Sequence, residues 1–300
     1  MTMREILNDL KSDRVKKVIL DTDAYNEIDD QFVIAYFYYS DKVELLAVNA
    51  EHYMHDRCNS MELGMKRSYD EIVKVLSLSD PHYTVQTNRG STNSIDKAGC
   101  AIESEAADAI IRIARESDEI VYVVAIGAIT NVASAIMKAP DIIDKICVVF
   151  VGCRPLHIGC PVEYNVEQDY RAAQVVFDSG VPLIVVPDVN VTQNLRVPIE
   201  EMRELSGANN VCDYLFDIAN NAYNMAGCSP TWARTLWDIG APAMFESIES
   251  AALEFMPRPI LTEERTYAFD DSRAEMIMVT DLDRDPIIKR AWEVLKGGKK

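Results

Sequence analysis

The chain has 300 residues, 48% of them apolar and 26% charged, with 12 Gly and 12 Pro, a profile that excludes disordered and collagen-like proteins. Forty-eight acidic against thirty basic side chains leave a formal charge of −18, a field that repels phosphate backbones and anionic lipid and so argues against nucleic acid and membrane partners. No apolar run reaches the ~20 residues of a membrane span, Met1 to Lys17 lacks the apolar centre of a secretory signal, and the seven cysteines are scattered, so a cytoplasmic protein with reduced thiols is expected.

In chain order, the Val/Ile-rich run Val18 to Leu20 predicts a strand and the spacing over Asp30 to Tyr39 a helix; Leu45 to Val48 and Met61 to Leu76 repeat the pair. A helix over Ser104 to Ala114 leads to strand Val121 to Ile126, helix Asn131 to Met137, strand Ile146 to Val151, helix Tyr170 to Phe177 and strand Leu183 to Val186. Continuous rather than alternating hydrophobicity means strands buried on both faces, and the βαβ rhythm means an α/β fold with a mostly parallel, mixed open sheet covered by helices on a Rossmann-like core. Beyond Pro187 the pattern predicts helices over Ile199 to Leu205 and Val211 to Ala226, a short helical piece near Asp238, strands over Arg265 to Phe269 and Glu275 to Val279, and a closing helix over Pro286 to Leu295. No Ser- or Gly-rich linker and no repeat intervenes, so residues 1–300 are expected to form one domain, its core from about 15 to about 295, ending in a frayed Gly-Gly-Lys-Lys tail.

Ligands of open parallel sheets gather at the carboxyl ends of strands. The first strand is followed by Asp21-Thr22-Asp23-Ala24-Tyr25-Asn26-Glu27-Ile28-Asp29-Asp30, five carboxylates within ten residues. Such crowding is costly without a cation, and carboxylate oxygens are the ligands hard ions such as Ca²⁺ or Mg²⁺ prefer. The alternative is a solvated acidic helix start, although the macrodipole accounts for one or two acids rather than five.

This segment resembles the nucleoside hydrolases, which cut the N-glycosidic bond of ribonucleosides and whose hallmark is Asp-x-Asp, a short Pro-Gly turn and Asp-Asp. Here five residues, Ala24 to Ile28, replace that turn, as in a variant branch. Three further stretches are similar to the family's: Ile126-Gly127-Ala128-Ile129-Thr130-Asn131, Glu163-Tyr164-Asn165 with the following Arg171-Ala172-Ala173, and Leu236-Trp237-Asp238. The resemblance implies a nucleoside hydrolase fold and a bound Ca²⁺, with Mg²⁺ as the alternative. It implies Asp23 as general base and metal ligand, and Asp30, the Ile126 carbonyl and Asp238 as further ligands. Ribose hydroxyls would be held by Asp29, Glu163 and Asn165. Family members are usually homodimers or homotetramers, and the partner implied is a small-molecule ribonucleoside.

The residue types suit that chemistry. Hydrolysis at an anomeric carbon needs an activated water, a grip on the sugar hydroxyls and relief of charge on the departing base. Asp23 can take the water's proton beside a divalent ion, and acceptors and donors such as Asp29, Glu163 and Asn165 can hold a diol. The pattern departs from the family at Trp237, where many members carry His, since an indole donates no acidic proton. Candidate contacts to the base or leaving group are Trp237 by stacking, His157, Tyr223, Tyr53 and His55, with His82 and Cys228 as further candidate acids. Glu51-His52-Tyr53 replaces the family's Gly-Asn after strand two. Cys153, His157 and Cys160 lack the spacing of a zinc site. Two rival readings stay open: a catalytically silent or specialised ribosyl-binding protein on the same fold, and a haloacid dehalogenase-type phosphatase with Asp21 as nucleophile.

Overall fold

The structure is a computed structural model describing residues 1–297. Its strands are β1 (Lys16–Thr22), β2 (Val43–Ala50), β3 (Gln86–Asn88), β4 (Val121–Ala125), β5 (Ile146–Val151), β6 (Leu183–Val186), β7 (Arg196–Pro198), β8 (Ala233–Thr235), β9 (Ala251–Pro257), β10 (Ile260–Leu261), β11 (Tyr267–Ala268) and β12 (Glu275–Leu282). Eight form one sheet in the order β3-β2-β1-β4-β5-β6-β12-β9, parallel throughout except for the antiparallel edge strand β9. Two small antiparallel pairs, β7 with β8 and β10 with β11, lie outside it.

Alternate residues of each central strand enter different cores, because successive side chains point to opposite faces. Val18 and Leu20 of β1 and Tyr122 and Val124 of β4 join one cluster, with helices Asp30–Tyr39, Met61–Ser79, Asn210–Met225, Gly240–Glu246 and Arg284–Gly297. Ile19, Val121 and Val123 join the other, with helices Glu105–Glu116, Thr130–Lys138 and Tyr170–Asp178. Helix Asp30–Tyr39 is buried at every position but its last, as an all-round apolar sequence requires. Polar caps start several of the others: Ser60 accepts from Leu63 N (3.2 Å) and Ser104 from Ala107 N (3.1 Å).

The sequence expectation holds for the α/β class and the parallel sheet, while several elements differ from it. β3 is three polar residues without an apolar run, and β9 alternates between half-buried and exposed positions, so neither shows as a buried strand. Helix Met3–Leu10 starts on a capping box in which Thr2 and Glu5 bond each other's backbone. The strand expected over Arg265 to Phe269 shrinks to β11, because Arg265 takes φ +59° in a tight turn. Helix Ile199–Met202 tightens into a 3₁₀ turn over Arg203–Leu205. Of the tail expected to fray, Gly297 ends the last helix and residues 298–300 lie outside the described part. All seven cysteines are free, and no helix among the described residues is long and apolar enough to cross a membrane.

From β1 the chain builds outward to β2 and β3, then returns to place β4 on the other side of β1. The connections leave β1 and β4 in opposite directions, which opens a crevice at their carboxyl ends. Gly64 shows how tightly the crevice's flank is packed: a Cβ there would lie 2.0 Å from the Tyr53 carbonyl oxygen. Gly64→Ala should therefore destabilise the fold by about 2 kcal/mol or more, measured by urea denaturation, because backbone cannot yield as a side chain does.

Candidate active site

β1 ends by delivering Asp23, 2% exposed, into the crevice. The turn that follows folds back on it: Asn26 donates its backbone N–H to the Asp23 carbonyl (3.1 Å) and its side-chain amide to Asp23 Oδ2 (3.0 Å). Asp29 and Asp30 then open helix Asp30–Tyr39, and Asp30 accepts the Thr22 hydroxyl. Far along the chain, the 3₁₀ turn Trp237–Ile239 brings Asp238 in, its N–H donating to Asp29 Oδ2 (3.3 Å). Asp29, Asp30 and Asp238 are all buried and each offers a carboxylate oxygen within 4.8 Å of the others'.

From β4 comes the backbone wall. Ile126 N donates to the Asp21 carbonyl (2.9 Å), and at Gly127 a Cβ would lie 2.9 Å from Asp23 Cβ and N, so only glycine lets the strand end close on Asp23. Asn165 spends its amide N–H groups on the Ile126 carbonyl (3.2 Å) and the Val151 carbonyl (2.9 Å), leaving its Oδ1 as an acceptor. Glu163 caps helix Tyr164–Gln168 and accepts from Cys153 N (3.1 Å), Asn165 N (2.7 Å) and Val166 N (2.8 Å). Burial still raises its pKa to about 7 against those three bonds.

These groups meet in one cavity of about 220 Å³ whose lining includes Asp23, Glu27, Asp29, Asp30, Glu163, Asp188 and Asp238, with Ile126, Asn165, Tyr164 and Trp237. No Lys, Arg or His lines it. Burial, then the Asp29 charge, raises Asp30 to about 8, and burial, then the Glu27 charge, raises Asp29 to about 6; burial with the Asp29 and Asp30 charges raises Asp23 and Asp238 as well. Arg234, ion-paired with Glu27, pulls Asp29 back down. Buried carboxylates with oxygen donors only and no internal cation are the donor set a hard divalent ion fits.

The structure thus gathers Asp23, Asp29, Asp30, Ile126, Glu163, Asn165, Trp237 and Asp238 around one cavity, with Asp29 rather than Asp23 in the tightest trio of carboxylates. Four expected contacts to base or leaving group fall outside its lining. Tyr53 is buried against helix Met61–Ser79 and stacks on His55 (5.4 Å), whose Nδ1 accepts from Arg57 N. Tyr223 donates to the Cys228 carbonyl (3.1 Å) and packs edge-on against Trp232. His157 is exposed on the 3₁₀ turn Leu156–Ile158, and His82 and Cys228 are exposed elsewhere. Sequence reasoning missed Asn26, Asp188 and Thr192 in the lining; Asp188, two residues beyond β6, was open to the same strand-end rule that singled out Asp23. Asp21 is fully buried, bonded to Asn131 and absent from the lining, so it is no phosphatase nucleophile. Glu51 and His52 are buried too, accepting from Asn131 N (2.8 Å) and bonding Thr130 Oγ1 (3.0 Å).

A crevice of this kind, an oxygen-lined cluster at the switch point of a parallel sheet, defines a class of α/β proteins built to hold a hard ion and a small polar ligand. Residues 18–285 match the family model described as inosine-uridine preferring nucleoside hydrolase, and the chain belongs to that family. It is similar to the pyrimidine-specific ribonucleoside hydrolase RihA of Escherichia coli O1:K1 / APEC, 32% identical over 108 residues, which are 35% of this chain and 34% of that protein. The RihA of Enterobacter sp. (strain 638) is 37% identical over 95 residues, 31% of this chain and 30% of that protein. The matched segment thus spans about a third of these relatives' length. Among solved structures, the fold is shared with the plant nucleoside hydrolase PpNRh1 (TM-score 0.75, 16% identity, 94% of this chain and 99% of that one). It is also shared with the purine-preferring ribonucleoside hydrolase from Gardnerella vaginalis (TM-score 0.71, 20% identity, 94% and 98%).

The raised carboxylates make a stability prediction with a defined sign. A group whose folded pKa lies above its unfolded value contributes stability below the unfolded pKa and loses it as pH rises through the folded one. With a chelator present, the thermal midpoint should fall as pH is raised through about 6 and on through about 8, the values of Asp29 and Asp30. Asp30→Asn should flatten the fall, and calcium chloride should raise the midpoint most at its upper end; a midpoint indifferent to calcium at both ends would contradict this account.

Proposed function

We propose that the chain is a metal-dependent hydrolase that cleaves the N-glycosidic bond of a ribonucleoside to ribose and free base. The observation that carries the reading is Asp23, fixed by Asn26 and Gly127, beside the buried Asp29, Asp30 and Asp238 carboxylates in a cavity shared with Glu163 and Asn165. Asp23, Asp30, Asp238 and the Ile126 carbonyl would hold Ca²⁺, with Mg²⁺ as the alternative ion, and Asp29 stands close enough to contribute. Bound there, a divalent cation lowers the pKa of a water and polarises vicinal hydroxyls.

The protein's own groups then do the rest. Asp23 takes a proton from the attacking water as its oxygen bonds C1′, and its raised affinity for protons suits a base that must accept one. Asp29 and Asn165 Oδ1 accept from ribose hydroxyls, while Glu163, held by three backbone N–H groups, is a rigid wall against which the sugar is oriented. The glycosidic electron pair stays on the base nitrogen. Trp237 offers its indole face to the base, and since no His lines the cavity, the departing base takes its proton from solvent. That same lack of an acid favours a second reading, a ribosyl-binding protein that turns over slowly or not at all. The proposal extends to one domain spanning residues 1–300, a cytoplasmic location and a homodimer or homotetramer.

A reducing-sugar assay over purine and pyrimidine ribonucleosides, with an activated aryl riboside that needs no acid, tests the reading. Asp23→Asn should lower kcat by about a hundredfold or more, and chelation should abolish ribose release until calcium is returned. Turnover unaffected by either change would overturn the proposed base and metal; tight nucleoside binding without ribose release would favour the binding-protein reading.

A further inference from the structure

A neutral nucleoside leaves the electron pair of its glycosidic bond on the base, and the charge that gathers there needs a proton donor close by. Among the described residues the lining of the cavity supplies none. It holds no Lys, Arg or His, and the indole of Trp237 has no acidic proton. The Tyr164 hydroxyl donates to Asn26 Oδ1 (3.2 Å), and burial, then the Asp23 charge, pushes its pKa further up. Outside the Asp23, Asp29, Asp30 and Asp238 cluster, three acids remain. Glu163 accepts from three backbone N–H groups, Glu27 is ion-paired with Arg234, and Asp188 accepts from Val189 N with Arg154 Nε 3.8 Å away. Such partners favour the ionised form, so each is held as an acceptor.

The same lining carries seven carboxylates, which one divalent ion and the two arginines beside it, Arg234 and Arg154, do not balance. Negative charge growing on a departing base would be repelled here, whereas positive charge on a bound ligand would be attracted. Trp237 and Tyr164 stand in the lining as well, and an aromatic face attracts a cation. We propose that the riboside this chain takes carries a fixed positive charge on its base, as an N-ribosylated pyridinium does. The inference rests on the hydrolase reading for the bond that is cut. As the water oxygen bonds C1′ and Asp23 takes the water's proton, the C1′–N electron pair moves onto the ring nitrogen and cancels its charge. The base departs neutral and needs no acid. In the oxocarbenium-like transition state the positive charge passes to the ribosyl ring, still among the carboxylates. One property of the substrate thereby answers both the missing acid and the uncompensated negative charge.

The test has a binding arm and a turnover arm, both on the full chain with calcium. In an Asp23→Asn background that prevents turnover, equilibrium dialysis compares nicotinamide riboside with benzamide riboside, its carbon-linked and uncharged counterpart of the same shape. The cation should bind about tenfold more tightly, a difference of about 1.4 kcal/mol. High salt should shrink that ratio, and Trp237→Leu should shrink it while Trp237→Phe keeps most of it, with far-ultraviolet circular dichroism showing that both variants fold. In the wild type, kcat/KM for nicotinamide riboside should exceed that for uridine and inosine by about a hundredfold, the usual worth of an acid that the pyridinium does not need. Equal binding of the two ligands, a binding ratio that neither salt nor Trp237→Leu reduces, or uridine or inosine cleaved as fast as the cation, would overturn the inference and leave the hydrolase reading in place. Preference for the cation in dialysis with no ribose released from any riboside, the activated aryl riboside included, would remove the hydrolase reading and leave a site that binds cationic ribosides.

Discussion

The structure depends on holding several carboxylates together out of water. Asp23, Asp29 and Asp30 come from one turn, but Asp238 arrives from 209 residues beyond Asp29, and its backbone N–H closes the gap by donating to the Asp29 carboxylate. Like charges at this distance repel strongly in a buried site, so the arrangement exists only because packing over-determines it. The two apolar cores on either side of the sheet supply that packing and fix β1 and β4 side by side, and the bonds from Thr22 and Asn26 then aim the carboxylates inward.

Behind the site a second set of polar groups ties three strand ends together. Asn131 donates its amide to Asp21 and to the Ala50 carbonyl and its backbone N–H to Glu51, joining the ends of β1, β2 and β4. Asp21 and Glu51 are fully buried, each with one oxygen that has no hydrogen-bond partner, and burial, then the Asp21 charge, raises the Glu51 pKa well above its ordinary value. Burial also raises Asp21, to about 6, while the Asn131 and Asn49 amides pull it back down. On the other side Thr130 donates to Asp169 (2.7 Å) and takes a bond from His52, whose burial pushes its pKa down to about 4 and keeps it neutral. Residues that replace the family's Gly-Asn after β2 thus serve the framework of the site rather than its floor.

Much of this was legible in the sequence because it was encoded locally. β5 and β6 begin and end where their apolar runs do, and helix Asp30–Tyr39 spans its predicted residues, since burial on all sides leaves an unambiguous composition. The acidic turn and the Ile126-Gly127 step were visible as motifs for the same reason. What was hidden depends on tertiary placement. Whether Tyr53, His55, Tyr223 or His157 faces the cavity is set by which way a loop or helix is rotated against its neighbours, and no spacing rule reports that; Tyr53 is turned into the helix that Gly64 lets approach. Short strands such as β3 and β8 are equally invisible, because their identity comes from the partner they pair with.

The turn from Ala24 to Ile28 shows how the same end is reached with different residues. Where a Pro-Gly turn would use glycine's freedom, this chain places Tyr25 at φ +77°, a conformation that costs a residue with a Cβ about 1–2 kcal/mol. The strain is opposed by side chains instead: Asn26 makes two bonds to Asp23 and accepts a third from the Tyr164 hydroxyl (3.2 Å), which comes from the Glu163-Tyr164-Asn165 segment across the cavity. Glu27 then reaches Arg234 on β8. The longer turn therefore does more than connect β1 to its helix. It ties the acidic cavity to the Glu163-Tyr164-Asn165 segment on one side and, through Glu27, to Arg234 of β8 on the other, so its extra residues brace both walls.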